Sequence, residues 1–195
     1  MVIPNNVRTS GAYVLYNGLF IFQVGPTKKG DRLGVVRLGG HRENNETAWE
    51  TAKREVFEEA QINIHLIDST VTFYLAEWGE EPEKVIGDEA VSPILIKGNE
   101  ESSYTVMYLA TTESLPTPSG ESKGLVMLSP AEVQLICSKK LSLYDYQKSG
   151  GTYILKSEFD MTLLLQPFPQ LQFLSRLLNE EAALMQRFID RSLIK

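Results

Sequence analysis

Cysteine and histidine are scarce in this chain of 195 residues, which contains one cysteine, Cys137, and two histidines. A single cysteine excludes an intramolecular disulfide framework and a cysteine-rich zinc site. It is compatible with a reducing compartment. Cys137 follows two apolar residues in a predicted helix, so we expect a small packed residue there and not a nucleophile.

Long apolar runs and an excess of positive charge are also missing. No run approaches the ~18 apolar residues that span a bilayer, and residues 1–10 lack the basic and apolar blocks of a secretory signal. We therefore expect a cytoplasmic protein with no membrane partner. The formal net charge is −6 and the pI is near 5.1. This balance makes nucleic acid an unlikely partner, although a local basic cleft would be compatible with it.

The chain opens with a predicted β-hairpin. Residues 12–16 and 19–24 are rich in aromatic and β-branched residues, and Asn17-Gly18 between them tolerates positive φ at both turn positions. Further strands are predicted at residues 34–38, 71–78, 91–96, 104–110 and 125–128, with an acidic loop at 79–89 and an extended segment at 153–165.

A helix is predicted from about Thr47 to Gln61, because small apolar residues recur every four positions from Ala48 to Ala60. Thr47 with Glu50 three residues later predicts a capping box at its start. A second helix is predicted after Ser129, which is followed by proline and, three residues on, by a glutamate.

The composition changes after about residue 141, and from Pro169 onward apolar residues recur at helical spacing. Strands interrupted by a helix, then strands, then helices predict an α/β or α+β domain at residues 1–140. Residues 141–195 are predicted to form a mainly helical C-terminal extension packed on the same domain. Alternatively, the apolar face of this extension forms the contact between two copies of the chain in a homodimer.

Three glutamates, Glu55, Glu58 and Glu59, lie at i, i+3 and i+4 and project from one side of the first helix, at the edge of its apolar face. Like charges at this spacing cost about 0.2–0.5 kcal/mol per pair, and the C-terminal half of a helix disfavours anions. A divalent cation would reverse both penalties, and carboxylate oxygens suit Mg²⁺ or Mn²⁺ better than Zn²⁺. The alternative is a solvated acidic face. Arg54 is placed to orient one carboxylate or to pair with Glu58.

The wider pattern resembles the Nudix box, the signature of the Nudix hydrolase family. The matching positions are Gly40, Glu46 after five residues, Arg54-Glu55-Val56 after seven more and Glu58-Glu59 after another one, with Gly39 and Glu43 also at usual places. The match departs from the family at Gln61, where glycine is usual, and at Leu38, where proline is frequent. Because glycine would end the helix with positive φ, Gln61 predicts some strain or a different loop after the helix.

The resemblance implies a Nudix-like α/β/α sandwich with a mixed sheet, in which the box forms a strand, a loop and a helix. It implies a hydrolase of nucleoside diphosphate derivatives that uses Mg²⁺ or Mn²⁺. Carried over by position, it implies metal-binding acids at Glu55, Glu58 and Glu59, a further metal contact at the Gly40 carbonyl, and a structural pair, Arg54 and Glu46, that holds the helix and its loop in register.

Other residues are candidates for supporting roles. Glu121, in the loop before the strand at 125–128, is a candidate for serving the metals or for accepting a proton from water, as are Glu55 and Glu59. Arg37 and His41 flank the glycine pair and are candidates for phosphate or substrate contacts. Ordinary solvated or structural roles are the alternatives for all three residues outside the acid cluster.

Two hypotheses from different classes follow. The first is a metal-dependent hydrolase that cleaves a phosphoanhydride in a small nucleotide-like diphosphate. The second is a non-catalytic Nudix-fold sensor that binds a nucleotide without turning it over. The intact acids favour the enzyme, and the negative net charge disfavours an RNA-processing enzyme.

Overall fold

The computed structural model describes residues 3–87, 90–120 and 122–193. The strands are β1 (Val7–Tyr16), β2 (Leu19–Pro26), β3 (Leu33–Val36), β4 (Leu38–His41), β5 (His65–Ile67), β6 (Thr72–Leu75), β7 (Glu83–Val85), β8 (Leu95–Asn99), β9 (Ser103–Thr111), β10 (Gly124–Leu128), β11 (Thr152–Leu155) and β12 (Leu165–Pro167). The helices are α1 (Ala48–Ala60), α2 (Pro130–Ser138), α3 (Leu143–Lys148), α4 (Pro169–Glu180) and α5 (Ala182–Arg191).

All the described strands belong to one mixed sheet. Its main order is β11-β10-β2-β1-β9-β8-β6-β7, with β3 paired to β2, β12 to β3, β4 to β1 and β5 to β9. The pairs β1 with β9, β6 with β8 and β3 with β12 are parallel, and the other pairs are antiparallel. Helices cover both faces, so the predicted α/β/α sandwich is confirmed.

Alternate residues of the central strands serve two separate cores, because successive side chains of a strand point to opposite faces. Ala12 and Val14 pack under α1, whereas Tyr13 and Leu15 pack under the layer formed by α2, α3, α4 and α5. The described part of residues 141–195 adds strands to the same sheet and apolar side chains to the second core. Within the described part of the chain, no helix is long and apolar enough to cross a bilayer.

The local signals for turns and helix starts are confirmed. Asn17 and Gly18 have φ values of 48° and 78°, as the tight hairpin between β1 and β2 requires. Thr47 and Ser129 each begin a helix with a complete capping box.

Several predicted strands and one predicted loop have different extents in the structure. The strand predicted at 91–96 begins only at Leu95, because Pro93 lacks the N–H that a ladder needs. The predicted acidic loop contains β7, which pairs with the edge of β6 that would otherwise be open. The segment at 153–165 is extended only at its two ends.

Candidate active site

A pair of glycines lies directly beneath the carboxylates of α1. Gly39 and Gly40 are in β4, which pairs with β1, and α1 packs across both strands. The Gly39 N–H donates to Glu59 Oε2 at 2.7 Å. A Cβ on Gly40 would overlap the Glu55 carboxylate. Glycine at this position therefore lets the backbone approach the acids closely.

Arg54 joins the loop before α1 to the helix itself. Its Nε and Nη2 donate to the two carboxylate oxygens of Glu46 at 2.7 and 3.0 Å, and Nη2 also donates to the His41 carbonyl at 2.8 Å. Bidentate pairs of this kind fix orientation as well as adding energy. Hydrogen bonding from Arg54 lowers the pKa of Glu46 to about 2.

The third guanidinium nitrogen of Arg54 brings two of the acids together. Nη1 donates to Glu55 Oε1 at 3.0 Å and to Glu58 Oε2 at 2.7 Å. A positively charged group therefore lies between two carboxylates that would otherwise repel each other. Nη1 therefore occupies the space between these two carboxylates.

Burial sets the electrostatics of the cluster. Glu55 and Glu59 are each 8% exposed, whereas the Glu58 side chain is 39% exposed. Burial raises the pKa of Glu59 to about 8, against the opposing effects of the Gly39 N–H and the positive charge of Arg37. Burial also raises the pKa of Glu55. A bound cation would favour the ionised form of both groups.

The C-terminal end of α1 takes the shape that a glycine would give it. Gln61 has φ 53° and ψ 36°, and its N–H donates to the Phe57 carbonyl at 2.9 Å. Helix α1 therefore ends in the left-handed conformation although Gln61 stands where a glycine was expected. This conformation carries the strain that the sequence predicted.

A distant loop closes the same helix end. The Thr117 N–H donates to the Ala60 carbonyl at 2.8 Å, and the Ser119 N–H donates to the Glu59 carbonyl at 3.2 Å. Ser119 Oγ donates to the Glu58 carbonyl. These donors satisfy carbonyls that a helix end leaves free. The contact had no recognisable signal in the sequence, because it joins residues about sixty positions apart.

The remaining predicted residues occupy different places. The His41 side chain is exposed, and its backbone carbonyl contacts Arg54. Arg37 is buried beside the glycine pair. Glu121 lies outside the described residues, two positions after Ser119.

Two contributors to the site were not singled out from the sequence. The Gln23 side chain donates to the Arg37 carbonyl at 3.4 Å, and Gly11 lies against Gly39 in the paired strand. Gly11 carried a signal, since an isolated glycine within a strand marks a close approach of backbone. Gln23 carried none.

The donor set fits a hard cation in its chemistry. Three carboxylates and the Gly40 carbonyl offer only oxygen, the ligand that Mg²⁺ and Mn²⁺ prefer. In residues 3–87, 90–120 and 122–193, however, no three acidic, histidine or cysteine side chains are grouped closely enough to hold one ion. The reason is that Glu59 is turned to Gly39 and Arg54 Nη1 separates the other two acids.

The sequence matches a known family over most of its length. A profile of the NUDIX domain matches residues 12–145. The chain therefore belongs to the Nudix family. Hydrolases of this family generally use divalent metal ions. A search of proteins with curated functions found no match.

Solved structures with a related fold include three hydrolases. A hydrolase of the NUDIX family from Clostridium perfringens is 24% identical, with 67% of this chain and 86% of that chain covered and a TM-score of 0.48. An Ap4A hydrolase from C. elegans is 14% identical, with 73% and 90% covered and a TM-score of 0.44. An ADP-ribose pyrophosphatase from Streptococcus suis is 12% identical, with 63% and 73% covered and a TM-score of 0.40.

Proposed function

We propose that the protein is a metal-dependent hydrolase that cleaves the diphosphate linkage of a nucleoside diphosphate derivative or a similar small molecule. The observation that supports this most directly is the arrangement of acids around Arg54 Nη1. Two carboxylates of α1 share one cationic nitrogen at 3.0 and 2.7 Å, and a third, buried carboxylate lies on the glycine pair. A cluster of this kind is costly for a fold that has no use for it.

The acids would hold the metal ions. In this proposal Glu55, Glu58 and Glu59, with the Gly40 carbonyl, bind Mg²⁺ or Mn²⁺. Such ions neutralise phosphate oxygens, orient a water molecule and lower its pKa. Arg54, anchored on Glu46, keeps the helix in register with the loop as Nη1 releases its two carboxylates.

Proton transfer and substrate contacts fall to the remaining candidates. Glu55, Glu59 or Glu121 accepts the proton of the attacking water. Among these candidates, Glu121 does not belong to α1. It follows Ser119 by two positions in the sequence, and the Ser119 hydroxyl donates to the Glu58 carbonyl near the end of α1. His41 has an exposed side chain at the edge of the glycine pair, where it is available to a phosphate group.

A panel assay tests the proposal. The protein is incubated with Mg²⁺ or Mn²⁺ and a set of nucleoside diphosphate derivatives, and phosphate is measured after coupling to a phosphatase. We expect turnover of at least one compound. Glu58→Gln should lower the rate by about 10²-fold, since it removes charge aimed at the transition state. The matched control is Glu113→Gln, which changes an exposed glutamate outside the site.

The alternative hypothesis gives a different result in the same assay. A sensor module would bind a nucleotide of the panel tightly and would turn over none of the compounds with either metal. That outcome would replace the proposed hydrolase by a binding protein.

A further inference from the structure

Arg37 is a buried cation whose hydrogen bonds are incomplete. Arg37 as a whole residue is 7% exposed. Within the described part of the chain, Nε and Nη1 have no hydrogen-bond partner. An unpaired buried donor costs about 1–3 kcal/mol, and more when the group is charged. Replacing a buried charged group by an apolar one of similar size is often neutral or stabilising, so stability alone does not account for the arginine.

The guanidinium lies on the bare backbone of two glycines. Its Nη1 is 3.0 Å from the position that a Cβ of Gly11 would occupy, and it fills the position that a Cβ of Gly39 would occupy. Gly39 has a φ of 140°, a conformation that favours glycine. The absence of side chains at both positions lets the arginine contact the backbone of β1 and β4 directly.

Arg37 and Glu59 lie on opposite faces of that backbone. Arg37 Nη1 occupies the Cβ position of Gly39 and the Glu55 carboxylate occupies that of Gly40, and successive Cβ positions of a strand point to opposite faces. Glu59 approaches from α1 on the other face, where its Oε2 accepts the Gly39 N–H. The backbone of Gly39 therefore contacts the buried arginine on one side and donates to the buried carboxylate on the other.

We infer that Arg37 is a positioning residue for the metal-binding carboxylates. By packing on Gly39 from the far face, it holds the Gly39 N–H against Glu59 and keeps the adjoining Gly40 beside Glu55. Its charge acts across a single layer of backbone to stabilise the carboxylates. This inference rests on the proposed function, since it assigns Arg37 to the assembly of the metal site and not to contact with a phosphate.

Manganese binding tests the inference without relying on activity. The signal of free Mn²⁺ in electron paramagnetic resonance is followed as Mn²⁺ is added to wild type, Arg37→Met, Arg37→Gln and Arg37→Lys. We expect Arg37→Met and Arg37→Gln to weaken Mn²⁺ binding by about 10–100-fold, as loss of a supporting residue does. Arg37→Lys, which keeps the charge, should restore binding to within about threefold of wild type. Circular dichroism checks that each variant is folded, and Arg37→Gln takes the place of Arg37→Met if the latter does not fold.

The controls separate the outcomes. Arg32→Met changes an exposed arginine in the neighbouring loop and should bind Mn²⁺ like wild type. If the folded neutral variants bind Mn²⁺ as tightly as wild type or more tightly, the inference is wrong. A raised KM for a nucleotide with unchanged Mn²⁺ affinity would also overturn it, because it would indicate direct contact with phosphate. If wild type itself binds no Mn²⁺, the proposed function fails together with the inference.

Discussion

Helices α1 and α4 are similar in length, at 13 and 12 residues, and they lie on opposite faces of the same sheet. Against the sheet α1 buries alanines and a valine together with Glu55 and Glu59. By contrast, α4 buries leucines, a phenylalanine and one serine, and its surface charges stay outside. Helix α1 therefore packs on the sheet and also carries a cluster of acids, whereas α4 packs on the sheet through apolar side chains.

The ends of the two helices differ in the same way. At its start α1 has a complete capping box, and its last carbonyls accept hydrogen bonds from the loop at residues 117–119. At its start α4 has Pro169 after Phe168 and no side-chain cap. The helix with buried carboxylates is thus the one that has a side-chain cap at its start and hydrogen bonds from a distant loop at its end. Capping of this kind offsets part of the cost of the acids.

The largest expected effect concerns the packing helix. Leu174 of α4 is fully buried, and Leu174→Ala should lower the free energy of unfolding by about 2–5 kcal/mol because it leaves a cavity. Urea denaturation measures this loss. Leu115→Ala, at a side chain that is 59% exposed, should stay within about 0.5 kcal/mol of wild type. A loss of specific activity in folded Leu174→Ala would show that the two helices are not separate in role.

The next effect concerns the acidic helix. Glu59→Gln should lower kcat by about 10²-fold, equivalent to about 2.7 kcal/mol of transition-state stabilisation. The free energy of unfolding should not fall, because the buried amide is uncharged at every pH and its oxygen can accept the Gly39 N–H. Steady-state kinetics with Mn²⁺ and urea denaturation measure the two quantities. A variant that is inactive only because it is unfolded would contradict the comparison.

A smaller effect is the pH dependence of the metal-free protein. Burial raises the pKa of Glu59 from its ordinary 4.5 to about 8, so between these values the folded state binds more protons than the unfolded state. Its contribution to stability is therefore complete below about pH 4.5 and is lost as the pH rises through 8. The slope from one such group is at most about 1.4 kcal/mol per pH unit. Urea denaturation in a chelating buffer should show this slope in wild type and a smaller one in Glu59→Gln. Equal slopes would contradict the assignment.

The smallest effect concerns the end of α1. Gln61 has positive φ, which costs a residue with a side chain about 1–2 kcal/mol, while glycine loses about 0.5–1 kcal/mol more entropy on folding. Gln61→Gly should therefore raise the free energy of unfolding by up to about 1 kcal/mol, as measured by thermal melting. Gln61→Ala should bring no such gain. A less stable glycine variant would show that the side chain of Gln61 itself holds the helix end.

Much of the site could be predicted from local spacing. The acids of α1, the capping box at Thr47 and the glycine pair all lie within one stretch of chain, from Gly39 to Gln61, where helical periodicity determines which side chains share a face. The hairpin at Asn17-Gly18 was predictable for the same reason. The roles of the individual acids and of Glu121 stay predictions.

The parts that could not be predicted depend on contacts between distant segments. Gln23 reaches the Arg37 carbonyl because β2 pairs with β3 in the folded sheet, and Ser119 reaches the end of α1 across about sixty residues. Arg37 was a candidate for a phosphate contact from its place before the glycine pair. Its burial against Gly11 and Gly39 could not be predicted, because sequence inspection does not place these two glycines side by side.

The sequence by itself determined which residues carry charge and how they are spaced along a helix, because backbone geometry over a few residues is set by local sterics and hydrogen bonding. Only the tertiary structure decided which carboxylates are buried, which loop donates hydrogen bonds to the end of α1 and where the Arg37 guanidinium lies. Those properties depend on desolvation and on neighbours from other strands, and both exist only when the sheet has assembled.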